Sequence, residues 1–150
     1  MNFKSHMGLA LEEARAAAGL GEVPVGAVIA DASGRVVAAE GNRTRTLKDP
    51  TAHAEILAIR AACARLGCER LPDHVMYVTL EPCAMCAAAI SAARLSRLYY
   101  GAPDPKSGGV AQGARVFSHP QCHHVPEVFD EINSAQSAEM LQRFFLSRRA

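Results

Sequence analysis

No stretch of the 150 residues approaches the roughly 18 consecutive apolar positions of a membrane span, which argues against a helical transmembrane protein and a membrane partner. An excess of one charge is also lacking. Sixteen Lys and Arg stand against 15 Asp and Glu, leaving a net charge of +1. Bulk neutralisation of phosphate favours a clearly basic surface, so composition alone does not announce a nucleic-acid binder, although local basic clusters remain open. The segment MGLALEEARAAAG carries Glu12 and Glu13 where a signal peptide needs an unbroken apolar stretch. Repeats, linkers and low-complexity tracts are missing too. The expected compartment is therefore the cytoplasm, where thiols stay reduced. Cys63, Cys68, Cys83, Cys86 and Cys122 then read as core residues or metal ligands and not as disulfide partners.

What is present suits a folded chain. The residues are 49% hydrophobic and 21% charged, and a chain of this length is expected to form one domain, 1–150, with a substantial core. Met7, Leu11, Ala14 and Ala18 recur at helical spacing, closed by Gly19 and Gly21. VPVGAVIA (23–30) and VVAAEGN (36–42) read as strands around the turn DASGR, and 43–50 reads as a loop. A helix is predicted from about His53 to Leu66, with Asp49 or Thr51 as its N-cap and Gly67 past its end. A strand (74–80), a helix (83–95) and another strand (97–102) follow. Residues 103–126 read as loop with one short helical turn, and 134–149 as a terminal helix capped by Ser134. Strands alternating with helices indicate an α/β layered fold around one sheet.

The chemistry concentrates in two short segments, DPTAHAEI (49–56) and LEPCAMC (80–86). Cys83 and Cys86, spaced i, i+3 at a helix start, put both sulfurs on one face. Pro82 suits that helix entry, and a helix N-terminus favours thiolates. His53 with these two cysteines makes a Cys2His set, which leaves one tetrahedral position of a zinc ion open. Two thiolates neutralise Zn2+, so a water ionised there would carry the net charge beside Glu55, a group able to hold its proton. On an ideal helix His53 and Glu55 would point about 200° apart. They can share a pocket only at the first turn, where the backbone is still entering the helix. A structural zinc site is the competing reading. It needs a fourth ligand, for which His119, Cys122, His123 and His124 are candidates.

His-x-Glu followed by Pro-Cys-x-x-Cys is a signature of zinc nucleobase deaminases. With EVPVGAV (22–28), Asn42-Arg43, YVTLEPCAMC (77–86), YGAPDPKSGG (100–109) and FFLSRR (144–149), the chain resembles the bacterial tRNA-specific adenosine deaminases of the cytidine-deaminase-like superfamily. The resemblance implies a three-layer α/β fold with a mixed sheet of about five strands between helices. It implies one Zn2+ per chain on His53, Cys83 and Cys86, and Glu55 as proton shuttle. It further implies a homodimer acting on the anticodon stem-loop of a tRNA, converting adenosine to inosine at the wobble position. Backbone N–H groups of Ala54 and Cys83 would orient the attacking oxygen. Asn42 would hydrogen-bond the purine, though it can equally close the second strand as a turn residue. Val25 and the EVPVGAV strand would wall the base pocket, and they also suit a core strand.

The expected RNA contacts are Asp104, Lys106, His123, Phe144, Phe145, Arg148 and Arg149, with Arg43, Arg45 and Lys48 in the loop before His53. Aromatic stacking and arginine contacts suit a single-stranded RNA loop with a flipped base. Phe144 and Phe145 are adjacent, so at most one of them is expected to face solvent. Lys48 stands where the family often has histidine, and CHHVPE (122–127) departs from its usual run, which bears on His123. Two rival functions remain: a deaminase of a free base or nucleotide, such as guanine or cytosine, and a non-catalytic zinc-stabilised RNA-binding module.

Overall fold

A computed structural model describes residues 5–148 and the backbone of Arg149. Its elements in chain order are α1 (Met7–Gly19), β1 (Gly26–Ala30), β2 (Val36–Gly41), α2 (Ala54–Leu66), β3 (Val75–Leu80), α3 (Ala84–Ala92) and β4 (Arg97–Ala102). A 3-10 turn (Val116–Ser118), β5 (Glu127–Phe129) and α4 (Ser134–Arg149) complete them. The strands form one five-stranded sheet in the order β2-β1-β3-β4-β5. β1 runs antiparallel to β2 and β3, while β3, β4 and β5 are mutually parallel, so the sheet is mixed.

Alternation along the strands divides the core into two layers. Ile29, Met76, Val78, Leu98 and Tyr100 face α2 and α3, packing on Ala54, Ala58, Ala62 and Ile90. Val28, Tyr77 and Tyr99 face the other way, against Met7, Ala10 and Leu11 of α1 and Met140 of α4. Each fully buried Ile, Leu or Met stabilises the fold by about 1.5–3 kcal/mol. The small alanines of α2 let that helix lie close on the sheet. This is the expected α/β arrangement of a mixed sheet between helices.

The ends of several elements differ from the sequence reading. β1 starts at Gly26, because Val23–Val25 instead make a tight turn in which the Val25 N–H bonds the Val23 carbonyl at 2.8 Å. Neither Asp49 nor Thr51 caps α2. His53 occupies the cap in extended conformation (φ −71°, ψ 153°), and the Asp49 carboxylate is taken by the N–H and hydroxyl of Thr51 at 2.9 and 2.7 Å. α3 begins at Ala84 with Cys83 as its cap and stops at Ala92, because Arg94 turns left-handed (φ 62°) to lead into β4. Ser134 is the first helical residue of α4, and Asn133 before it accepts the N–H of Ser137. The short helical turn expected within 103–126 is present at 116–118. The sequence reading has no counterpart of β5. Its three residues are exposed and make an edge strand whose conformation is set by pairing with β4.

Candidate active site

Two helix N-termini face each other beyond the C-terminal end of β3, a usual location for ligand sites in open α/β sheets. α2 delivers His53 at its cap and Glu55 in its first turn; α3 delivers Cys83 at its cap and Cys86 one turn on. The first-turn geometry that His53 and Glu55 require is therefore present. The Nδ1 of His53 lies 3.6 Å from Cys83 Sγ and 3.5 Å from Cys86 Sγ. Zinc bonds of about 2.3 Å to sulfur and about 2.05 Å to nitrogen, opened to the tetrahedral angle, place those atoms roughly 3.6 Å apart. The donor set fits zinc in both chemistry and spacing. Among the described residues the cluster contains these three ligands and no fourth. His124 bonds the Leu95 carbonyl at 2.6 Å, and Cys122 contacts Ser91 and the His124 carbonyl. A closed structural zinc site therefore has no support from these residues.

The electrostatics suit metal binding and proton transfer. A hydrogen bond from Cys86 and a further one from His53 hold the Cys83 thiol down at about 4, so it ionises readily. The Cys86 thiol is pushed up, by its bond to Cys83 and by burial. His53 is raised, chiefly by Cys83. Burial pushes Glu55 up to about 7, so its carboxyl can exchange protons near neutral pH.

These groups open into a cavity of about 230 Å³. Of the sequence-selected residues, Val25, Asn42, His53, Ala54, Glu55, Cys83 and Asp104 line it. Asn42 is buried, and its backbone N–H bonds the Val25 carbonyl at 3.0 Å, so the two residues are neighbours in the cavity lining. Lys106 is exposed on the loop that carries Asp104. Phe145 is 48% exposed, while Phe144 is half-buried beneath the Arg148 guanidinium, 4.8 Å from its ring centre. Arg148 also donates to the Gly21 carbonyl at 3.0 Å. The Arg149 side chain lies outside the described residues. His123 does not line this cavity; it borders a larger one of about 540 Å³ beside Ala88, Ala92 and Val116 that holds no metal ligand. The ligands and Glu55 mark the smaller cavity as the chemical one.

The EVPVGAV segment expected to wall the pocket does so through both Val23 and Val25, whereas Thr44, Leu80, Glu81 and Ser107 also line the cavity and were not singled out from the sequence. Leu80 and Glu81 lie within LEPCAMC and Ser107 within YGAPDPKSGG, segments already singled out, which was a usable signal. Thr44 carries none, because only the path of its loop brings it there. Gly109 supports the zinc helix by absence of a side chain: a Cβ there would lie 2.5 Å from Ala84 N.

Comparisons with known proteins agree with this geometry. Residues 2–102 match the cytidine and deoxycytidylate deaminase zinc-binding region. The tRNA-specific adenosine deaminase of Agrobacterium fabrum is 59% identical over 95% of this chain and 93% of its own. That of Rickettsia bellii is 44% identical over 91% and 94%. A structure solved in a study of A-to-I editing by tRNA:A34 deaminases at the wobble position of transfer RNA is 61% identical. It superposes with a TM-score of 0.88 over 90% of this chain and 97% of that one. With its Cys2His zinc cluster and glutamate at facing helix ends, the chain belongs to the family of the tRNA-specific adenosine deaminases, zinc enzymes within the cytidine and deoxycytidylate deaminases.

Proposed function

We propose that this protein deaminates adenosine to inosine at the wobble position of a tRNA anticodon, releasing ammonia. The observation that carries the proposal is Glu55, buried beside the His53–Cys83–Cys86 cluster in a cavity that Asn42 also lines. His53, Cys83 and Cys86 would hold the zinc ion, which would supply acidification of water to a pKa of about 7; the attack falls on C6 of the purine. Glu55 takes a proton from the attacking water and delivers it to ring nitrogen N1. It then carries the remaining hydroxyl proton to the departing amine. Ala54 and Cys83 sit at helix starts, where N–H groups have no intrahelical partner, and they orient the attacking oxygen. The Asn42 amide donates to and accepts from the purine edge, and Val25 packs against the base.

The RNA is gripped outside the cavity, by Asp104 and Lys106 on one loop, by Phe144, Phe145, Arg148 and Arg149 on α4, and by His123. The zinc deaminase domain spans 1–150 and works in the cytoplasm as a homodimer. The apolar cavity along Ala88, Ala92 and Val116 supports the dimer, as a surface that a second copy would cover. No described helix is long and apolar enough to cross a membrane.

Incubation with an anticodon stem-loop, free adenosine, guanine and cytosine tests the proposal. Inosine should form on the stem-loop far faster than any free compound turns over. Turnover of a free base with none on the stem-loop would overturn it.

A further inference from the structure

Two glutamates outside the catalytic set are buried and form no ion pair among the described residues: Glu22, wholly buried, and Glu81, 2% exposed. Each spends its carboxylate on backbone N–H groups of one loop at the cavity mouth. Glu22 accepts from Arg45 N at 3.2 Å, Thr46 N at 2.6 Å and the Thr46 hydroxyl at 2.6 Å. Glu81 accepts from Asp104 N at 3.0 Å and from Val110, Ala111 and Gln112 N at 3.2, 2.9 and 3.1 Å. The first loop presents Thr44 to the cavity and the second presents Asp104 and Ser107.

The loops are also held at their ends, by Arg43 N on the Ala52 carbonyl at 3.0 Å and by Gly109 N on the Pro82 carbonyl at 2.8 Å, but their side chains add little. Arg43, Arg45, Leu47, Lys48, Pro103, Pro105 and Lys106 are exposed, and segments with few buried contacts open easily. An ionised carboxylate is acceptor-only, so it can take a fan of three or four donors. An amide cannot, because its NH2 would confront one of those N–H groups. Gly108 leaves room for this arrangement, since a Cβ there would lie 2.6 Å from the Glu81 carboxylate. Because the ties are made to backbone, the cationic side chains Arg43, Arg45, Lys48 and Lys106 stay out of ion pairs among the described residues.

We infer that Glu22 and Glu81 are positioning residues that preset both mouth loops for a polyanionic, single-stranded RNA substrate, removing an ordering cost that would otherwise fall on binding. This rests on the tRNA reading above. The test uses zinc-loaded E22Q and E81Q, with amide hydrogen exchange and stem-loop kinetics measured beside the wild type. Exchange should accelerate at 45–46 in E22Q only, and at 104 and 110–112 in E81Q only. KM for the stem-loop should rise about tenfold or more, exceeding the fall in kcat, with zinc content unchanged. Unaltered exchange overturns the inference, and so does faster exchange with unchanged KM. The two variants act on different loops, so if one fails to fold the other still decides. A wild type inert on the stem-loop overturns the functional reading, and with it the recognition role.

Discussion

His53 Nδ1 lies 3.5 Å from Cys86 Sγ although 33 residues separate the two in sequence. The contact exists because α2 and α3 end at the same cavity, and the separation is that of two ligands on one tetrahedral ion. Exchanging His53 for Ala, or Cys83 or Cys86 for Ser, should take bound zinc from one per chain to near zero by metal analysis, with loss of ammonia release. Binding also requires deprotonated ligands. Because Cys86 and His53 are both raised, zinc uptake by metal-stripped protein should release protons, readable with a pH indicator, and should weaken on acidification.

Glu55→Gln separates metal binding from proton transfer. The isosteric amide keeps the cavity's shape but cannot carry a proton. Zinc content should remain at one per chain, and ammonia release from the stem-loop should fall by about 10²–10⁴-fold. Unchanged ammonia release at full zinc content would remove Glu55 from the mechanism.

Glu22 makes stability depend on acid pH. Burial raises its pKa, but the Thr46 and Arg45 hydrogen bonds outweigh burial and leave it below its ordinary 4.5. The folded state therefore holds the carboxylate more strongly than the unfolded chain does. That stabilisation is present above pH 4.5 and is lost as pH falls through the lowered folded value. Urea unfolding of wild type and Glu22→Gln should show a stability gap at pH 7 that narrows on acidification below about pH 4.5. A gap independent of pH would refute the assignment.

Gly109→Ala tests the support of the zinc helix. The added Cβ meets Ala84 N and Cα at 2.5 and 2.7 Å, backbone atoms that cannot move aside without shifting the start of α3. Thermal and urea unfolding should show a loss of about 1–3 kcal/mol, the usual range for overpacking. Zinc affinity should fall as well, since Cys83 and Cys86 ride on that helix start.

Much of the site was legible without coordinates. Cys83 and Cys86 announce a shared face by their i, i+3 spacing, and Pro82 marks the helix entry. His53 and Glu55 at i, i+2 can cooperate only at a helix start, which is where they are. These are local relations, set by backbone geometry over a few residues. β5 was not legible, because three exposed residues carry no periodicity and take their conformation from β4.

The residues of this chain by themselves determine the ligand types, the candidate proton carrier and the alternation of helices and strands, since each follows from side-chain chemistry or short-range spacing. Only the tertiary structure decides that α2 and α3 meet end to end, that Thr44 and Ser107 reach the same cavity, and that Glu22 and Glu81 bind loops distant in sequence. Those contacts depend on how the sheet and its helices pack, and the physical reason is that burial rewards long-range partners which no local pattern encodes.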